Sequence, residues 1–90
     1  MPQLMRLVLE RAALRRLGDL PKPARAGLLR RLRLIAADPF AKHANVKRYK
    51  EGGPNCFRLR QGQWRAIYEI DREAQEMRVQ AIDTRGSVYR

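Results

Sequence analysis

Cysteine and histidine each occur once in this chain, as Cys56 and His43, and acids are outnumbered by bases, 9 against 20. Each scarcity removes a class of function. A single cysteine forms no intrachain disulfide and no thiolate metal cluster, and it points to a reducing compartment, the cytosol. Beside Phe57 it reads as a small buried hydrophobe rather than a nucleophile, since one histidine leaves few partners to activate it. The same shortage removes a histidine pair for a metal and a Ser-His-Asp arrangement, and no glycine-rich phosphate loop occurs. No apolar run is long enough to span a bilayer. The Arg-rich opening, MPQLMRLVLERAALRRLG, is interrupted by Arg6 and Glu10 and followed by no small-residue cleavage site, so it is expected to belong to the fold rather than to a transit peptide.

What is abundant is positive charge. The formal net charge is +11 over 90 residues, and most of the cations are arginine. A single-sign field of that size favours nucleic acid, an anionic membrane surface or an acidic protein partner. Arginine adds a planar fork that grips phosphate, which a merely solubilising surface does not need. The length suits one domain, 1–90, with one core.

Periodicity divides the chain. Leu4 to Leu9 is short and apolar, and predicts an opening strand buried on both faces. From Glu10 to Leu20, Ala13, Leu14, Leu17 and Leu20 recur at helical spacing with Arg11, Arg15 and Arg16 outward. Pro21 and Pro23 end that helix and admit a second, running to about Ala37 with Leu28, Leu29, Leu32, Ile35 and Ala36 as its stripe. Asp38-Pro39 stops it. So short a link predicts an antiparallel helix hairpin. Phe40 to Asn55 reads as a basic loop, closed by the turn Gly52-Gly53-Pro54.

The stretch Asn55 to Ile70, NCFRLRQGQWRAIYEI, carries the strongest pattern, a β-hairpin. With Gln61-Gly62 as the loop, Arg60 faces Gln63, Leu59 faces Trp64, Arg58 faces Arg65 and Phe57 faces Ala66. Apolar residues then share one face and Arg58, Arg60 and Arg65 the other. After a polar turn, a third strand places Met77 opposite Ile70, Val79 opposite Tyr68 and Ala81 opposite Ala66. Asp83 to Ser87 reads as a turn, and Val88 to Arg90 as a last extended piece. The fold class expected is α+β: a strand, a helix hairpin, then a three-stranded antiparallel meander packed on the helices, with an open basic sheet face.

Candidate chemistry is cationic. Lys42, Lys47, Arg48, Lys50, Arg58, Arg60 and Arg65 share their stretch with one acid, Glu51. A solvated face is the plain alternative for the loop cations Lys42, Lys47, Arg48 and Lys50, which otherwise are candidates to bind a polyanion such as RNA. For the three hairpin arginines convergence on one patch favours a polyanion site. Phe57, Trp64 and Tyr68 fall in phase with the core and read as packing rather than base-stacking platforms. Tyr89 lies outside the meander, where it can reach the open face. Glu69, Asp71, Glu73 and Glu76 read as a solvated turn with Glu69 paired across to Arg78. His43 reads as a surface residue of the basic loop.

The order of elements, the F-R-L-R and W-R-A-I-Y-E-I text of the hairpin, and the closing T-R-G-S-V-Y-R resemble the RelE family of the RelE/ParE toxin superfamily of bacterial toxin-antitoxin systems. The likeness spans nearly the whole chain. It implies a RelE-like fold and a ribosome-dependent endoribonuclease that cuts messenger RNA in the A site without metal or other cofactor. It implies a cognate acidic antitoxin as partner in a hetero-oligomer, with ribosome and mRNA as targets, no membrane, and a cytoplasmic location. By position it implies catalytic roles for Arg58, Arg60, Arg65, Arg85 and Tyr89. Attack of a 2′-OH on the adjacent phosphate needs that phosphate gripped in line and its charge neutralised. Arg58, Arg65 and Arg85 suit the grip and Tyr89 suits stacking on a base, while a guanidinium at Arg60, where some relatives have lysine, is a poor proton acceptor. Two other readings stay open: a ParE-type gyrase inhibitor that binds without cutting, and a binding protein without activity.

Overall fold

The two expected helices form where proline and helical spacing place them, and the strands follow the alternation of the sequence with five departures. The structure, a computed structural model, describes residues 4–84. In chain order these are β1 (Arg6–Leu9), α1 (Arg11–Gly18), α2 (Lys22–Ala37), β2 (Val46–Arg48), a 3-10 turn (Lys50–Gly52), β3 (Cys56–Gln61), β4 (Trp64–Asp71) and β5 (Glu76–Thr84). They make one five-stranded sheet in the order β1-β5-β4-β3-β2. β1 runs parallel to β5, a pairing that requires a crossover, and the helices provide it. All other neighbours are antiparallel. The class is α+β with the RelE-like arrangement expected. The sheet has two strands more than the meander, because β1 and β2 flank it.

One core joins both helices to one sheet face. Ala13, Leu17 and Leu20 from the first helical region and Leu28, Leu32, Ile35 and Ala36 from α2 pack with Leu59, Ala66, Tyr68, Ile70, Met77, Val79 and Ile82. Fully burying a side chain the size of Leu28 or Ile35 contributes about 1.5–3 kcal/mol, so α2 is held chiefly by this stripe. Its first turn tolerates Pro23, which would otherwise cost a hydrogen bond. The amide of Met5 donates to the carbonyl of Ala36 at 2.8 Å, fastening the start of the chain to the end of α2.

Several sequence expectations need correction. Leu14 is 57% exposed, because Ala13 and Leu17 already define the inward stripe and Leu14 lies off it. The opening strand begins at Arg6, not Leu4, and as an edge strand it is only half-buried. Part of the supposed basic loop is the edge strand β2. It is three residues long and mostly cationic, features that blunt an edge but leave no apolar alternation to detect.

The hairpin closes one residue later than expected. Gln61 pairs with Trp64, leaving Gly62-Gln63 as the loop. Gly62 adopts φ +61°, and a glycine in the first central position is what a Gly-first hairpin turn demands. Arg60 therefore faces Arg65, Leu59 faces Ala66, Arg58 faces Ile67 and Phe57 faces Tyr68. The apolar and arginine faces survive the shift because it moves the register by an even number of residues.

In β5 the pairs Ile70 with Met77 and Tyr68 with Val79 are as expected. An irregularity between Ile67 and Tyr68 then sets Ala66 opposite Ile82 instead of Ala81. Such a bulge reverses the alternation, so Ile82 is buried and Ala81 exposed. β5 also runs through Asp83 and Thr84, which were expected in a turn.

Tyr68 sits at the centre of this core, and burial pushes its phenol up to about 12 from 10.0, with the nearby Arg31 charge opposing the shift. The folded state holds Tyr68 protonated where the unfolded chain ionises it, so stability present below pH 10 is lost as pH rises toward 12. Urea midpoints measured across that window are expected to fall, and Tyr68→Phe to remove part of the fall. A midpoint that is flat in pH would show that the phenol is not held in the core as described.

Candidate nucleic-acid interface

Strand alternation assigns the far face of the sheet. Leu59, Ala66, Tyr68 and Ile70 turn toward the helices, so Arg58 and Arg60 of β3 and Arg65, Ile67 and Glu69 of β4 turn away from them. β2 adds Lys47, which is directly opposite Arg58. Two like-charge cross-strand pairs thus stand on one face, Lys47 with Arg58 and Arg60 with Arg65. Directly opposed side chains have Cβ atoms about 5 Å apart, and like charges there are destabilising. No described carboxylate forms an ion pair with Lys47, Arg58 or Arg60.

Three acids of this face, Glu69, Asp71 and Glu76, gather around Arg78. Arg78 Nη2 lies 2.5 Å from Asp71 Oδ2 and 3.7 Å from Glu69 Oε1, and its Nη1 lies 4.0 Å from Glu76 Oε1. Glu76 also holds Arg6 across the β1–β5 pair. The cross-strand partner expected for Glu69 is therefore present, within a larger network. Among the described residues no group of three His, Cys, Asp or Glu side chains is placed to hold a metal ion. The face is divided: a neutralised acidic end around Arg78, and a cationic end around Arg58, Arg60 and Arg65.

Arg65 is the unusual member, only 6% exposed. Arg58 is half-buried, and Arg60, Lys42, Lys47, Arg48 and Lys50 are exposed. Of the loop cations, Lys47 joins the arginine face, whereas Arg48 alternates to the helix side in register with Phe57. Lys42 lies on the loop after α2, and Lys50 opens the 3-10 turn. Arg85 and Tyr89 lie outside the described residues.

Two residues of this region escaped the sequence reading. Asp83 stands across from Arg65 on β5, with its Oδ1 3.1 Å from Arg16 Nη2. It was hidden by the bulge that extends the strand. Arg31 of α2 donates from Nη2 to the carbonyl of Ala44 at 2.5 Å and from Nη1 to Gln61 Oε1 at 3.4 Å, so it ties the basic loop to the end of β3. His43 is not a bare surface residue: its Nε2 is 2.7 Å from the carbonyl of Asp38.

Cys56 begins the arginine-bearing row of β3 yet is 1% exposed. Gly52 lies over it so closely that a Cβ there would come 2.7 Å from its Sγ. Burial raises the thiol's pKa, and the charge of Glu69 opposite adds to the rise. It is the inert, packed cysteine expected, not a nucleophile.

Neither a family sequence profile nor a curated protein sequence matches this chain. Its backbone matches solved toxins. The isolated RelE toxin of E. coli superposes with a TM-score of 0.77 at 22% identity, over 94% of this chain and 90% of that one. RelE in the archaeal RelE–RelB complex of Pyrococcus horikoshii OT3 gives 0.77 at 20% identity, over 91% and 96%. A YoeB/ParE toxin from Agrobacterium tumefaciens gives 0.74 at 15% identity, over 89% and 98%. The chain has the fold of the RelE toxins.

Two measurements check this geometry. Arg60→Thr removes one of the opposed cation pairs and is expected to raise folding stability by about 0.2–1 kcal/mol in urea titrations at low salt. A clear loss of stability would mean that the two arginines do not repel. An alkylating reagent is expected to modify Cys56 only after unfolding, and modification of the native protein at the rate of a small-molecule thiol would contradict its burial.

Proposed function

We propose that this chain is the toxin of a type II toxin-antitoxin pair, an endoribonuclease that cuts messenger RNA on the ribosome by attack of a 2′-OH on the adjacent phosphate. The observation that carries this reading is the pair of like-charge juxtapositions, Lys47 with Arg58 and Arg60 with Arg65, on the outer sheet face of a RelE fold. A face that costs folding stability and has no described acid against Lys47, Arg58 and Arg60 suits an anion supplied from outside. An arginine fork matches phosphate, as it does carboxylate, and on RNA every unit carries a phosphate.

In this reading Arg58 and Arg60 grip the scissile phosphate, and Arg65, held rigid by burial, stabilises the charge that develops on its oxygens. Arg85 joins the clamp, and Tyr89 orients the base or the nucleophile. Lys42, Lys47, Arg48 and Lys50 add sequence-independent attraction to RNA or ribosome, which falls with salt. No cofactor is required: in-line positioning and charge stabilisation carry the step. Arginines are unsuited to accept the 2′ proton, so water takes it as the 2′,3′-cyclic phosphate forms and returns a proton to the 5′ oxygen released when the P–O5′ bond breaks, and the rate rests on electrostatics rather than on a strong general base. A cognate acidic antitoxin, complementary to the +11 charge, is the inhibitory partner, and RelE toxins occur in solved RelB–RelE complexes. The protein then acts in the cytoplasm, and no described helix is long and apolar enough to cross a membrane.

A second reading, a gyrase inhibitor that cuts no RNA, is favoured by the likeness to a YoeB/ParE toxin. Ribosomes programmed with a defined codon in the A site separate the two. Added protein is expected to yield a transcript cut in that codon with a 2′,3′-cyclic phosphate end, and Arg58→Ala with Arg60→Ala to slow cutting at least roughly a hundredfold. Arg65→Lys, which keeps the buried charge but loses the fork, is expected to slow it as well. Intact transcript together with inhibited gyrase supercoiling would overturn the nuclease reading.

A further inference from the structure

The arginine face leaves unexplained a cleft on the other side of the same edge strand. It encloses about 300 Å³ between the loop that follows α2 and the row formed by Arg48, Phe57 and Tyr68. That row is set by register, Arg48 opposite Phe57 and Phe57 opposite Tyr68. The two rings stack with centroids 5.6 Å apart and planes inclined by 25°. Phe40 contributes a further aromatic surface, 44% exposed, with the Arg72 guanidinium 4.1 Å from its ring centre. Lys42 and Arg48 supply the cations of the cleft, beside β2, and no described carboxylate lines it. The loop that closes it is fastened at His43 to Asp38 and at Ala44 to Arg31, so the cleft is a formed feature.

An anion alone has no use for the aromatic wall, and an apolar ligand has no use for two cations. A planar ring carrying a phosphate uses both: the ring packs on the aromatic surface and the phosphate meets the cationic rim. The volume stands at the lower end of small-ligand sites. We propose that this cleft binds one nucleotide unit, its base against Phe40 and the Phe57 edge and its phosphate on Lys42 and Arg48.

Position suggests what the unit belongs to. Lys47 and Arg48 are consecutive residues of β2, and strand alternation sends Lys47 to the arginine face and Arg48 to the cleft. A single-stranded RNA crossing this edge strand meets both sites in turn. The cleft then holds a base of the same strand whose phosphate the arginines hold. This inference does not need cleavage: it stands equally if the chain binds RNA without cutting it.

The test is amide and aromatic shift mapping of the full chain titrated with nucleoside monophosphates, with ribose 5-phosphate, and with a short single-stranded RNA. Saturable shifts at Phe40, Arg48 and Phe57 are expected with a monophosphate or with the RNA, and much smaller ones with ribose 5-phosphate. Shifts with the monophosphate alone identify a free nucleotide as occupant and shifts with RNA identify a strand; both support the cleft. Phe40→Ala, at an exposed position outside the core, is expected to weaken binding about tenfold. Arg48→Glu is a second variant should Phe40→Ala disturb the loop. Arg11→Ala, at an exposed position of α1, is expected to leave the shifts at Phe40, Arg48 and Phe57 unchanged, and because shift mapping reads binding without cleavage it separates this inference from the nuclease reading. No shift at the cleft with either ligand, or equal shifts with ribose 5-phosphate, would overturn it.

Discussion

The alternation of side chains along β3 and β4 is the constraint on which the rest depends. One row, Leu59, Ala66, Tyr68 and Ile70, is buried against the helices, and the row between them cannot then be anywhere but on the opposite face. Burial of apolar surface thus aims the cations. A slip by one residue would bring Arg58 and Arg60 into the core, at a large desolvation cost. The two like-charge pairs are tolerated because the hydrophobic gain on one face greatly exceeds their repulsion on the other.

The outer face is also asymmetric along the strands. Arg78 gathers Glu69 and Asp71, with Glu76 at the margin of the same network, so these three acids are neutralised at one end, while Asp83 stands opposite Arg65 at the other. Were those carboxylates turned toward Arg58 and Arg60, the cations would be paired internally and less available to phosphate. Arg31 does comparable work at the other end, where it holds the loop that carries Lys42 against the end of β3.

The edge strand β2 then matters out of proportion to its three residues. It supplies Lys47 to one face and Arg48 to the other, so one strand joins the arginine face to the aromatic cleft. A short cationic edge resists pairing with other sheets. The same composition serves attraction of a polyanion.

Much of this was legible in the residues themselves. Helical spacing marked Ala13, Leu17 and the stripe of α2, and alternation marked the hairpin, its apolar face and its arginines, because these patterns are local consequences of 3.6- and two-residue periods. The resemblance to RelE toxins, carried by short runs of text, agrees with the backbone. What tertiary structure decided was register and coverage. The hairpin loop moved to Gly62-Gln63 because the first loop position needs a positive φ, and the pairing of Arg60 with Arg65 came with it. The bulge that buried Ile82 and carried Asp83 to Arg65, the pairing of β2 with β3, and the burial of Arg65 depend on which segments meet across long separations. Periodicity within a segment holds no record of its partner, so these features became visible only once the sheet was assembled.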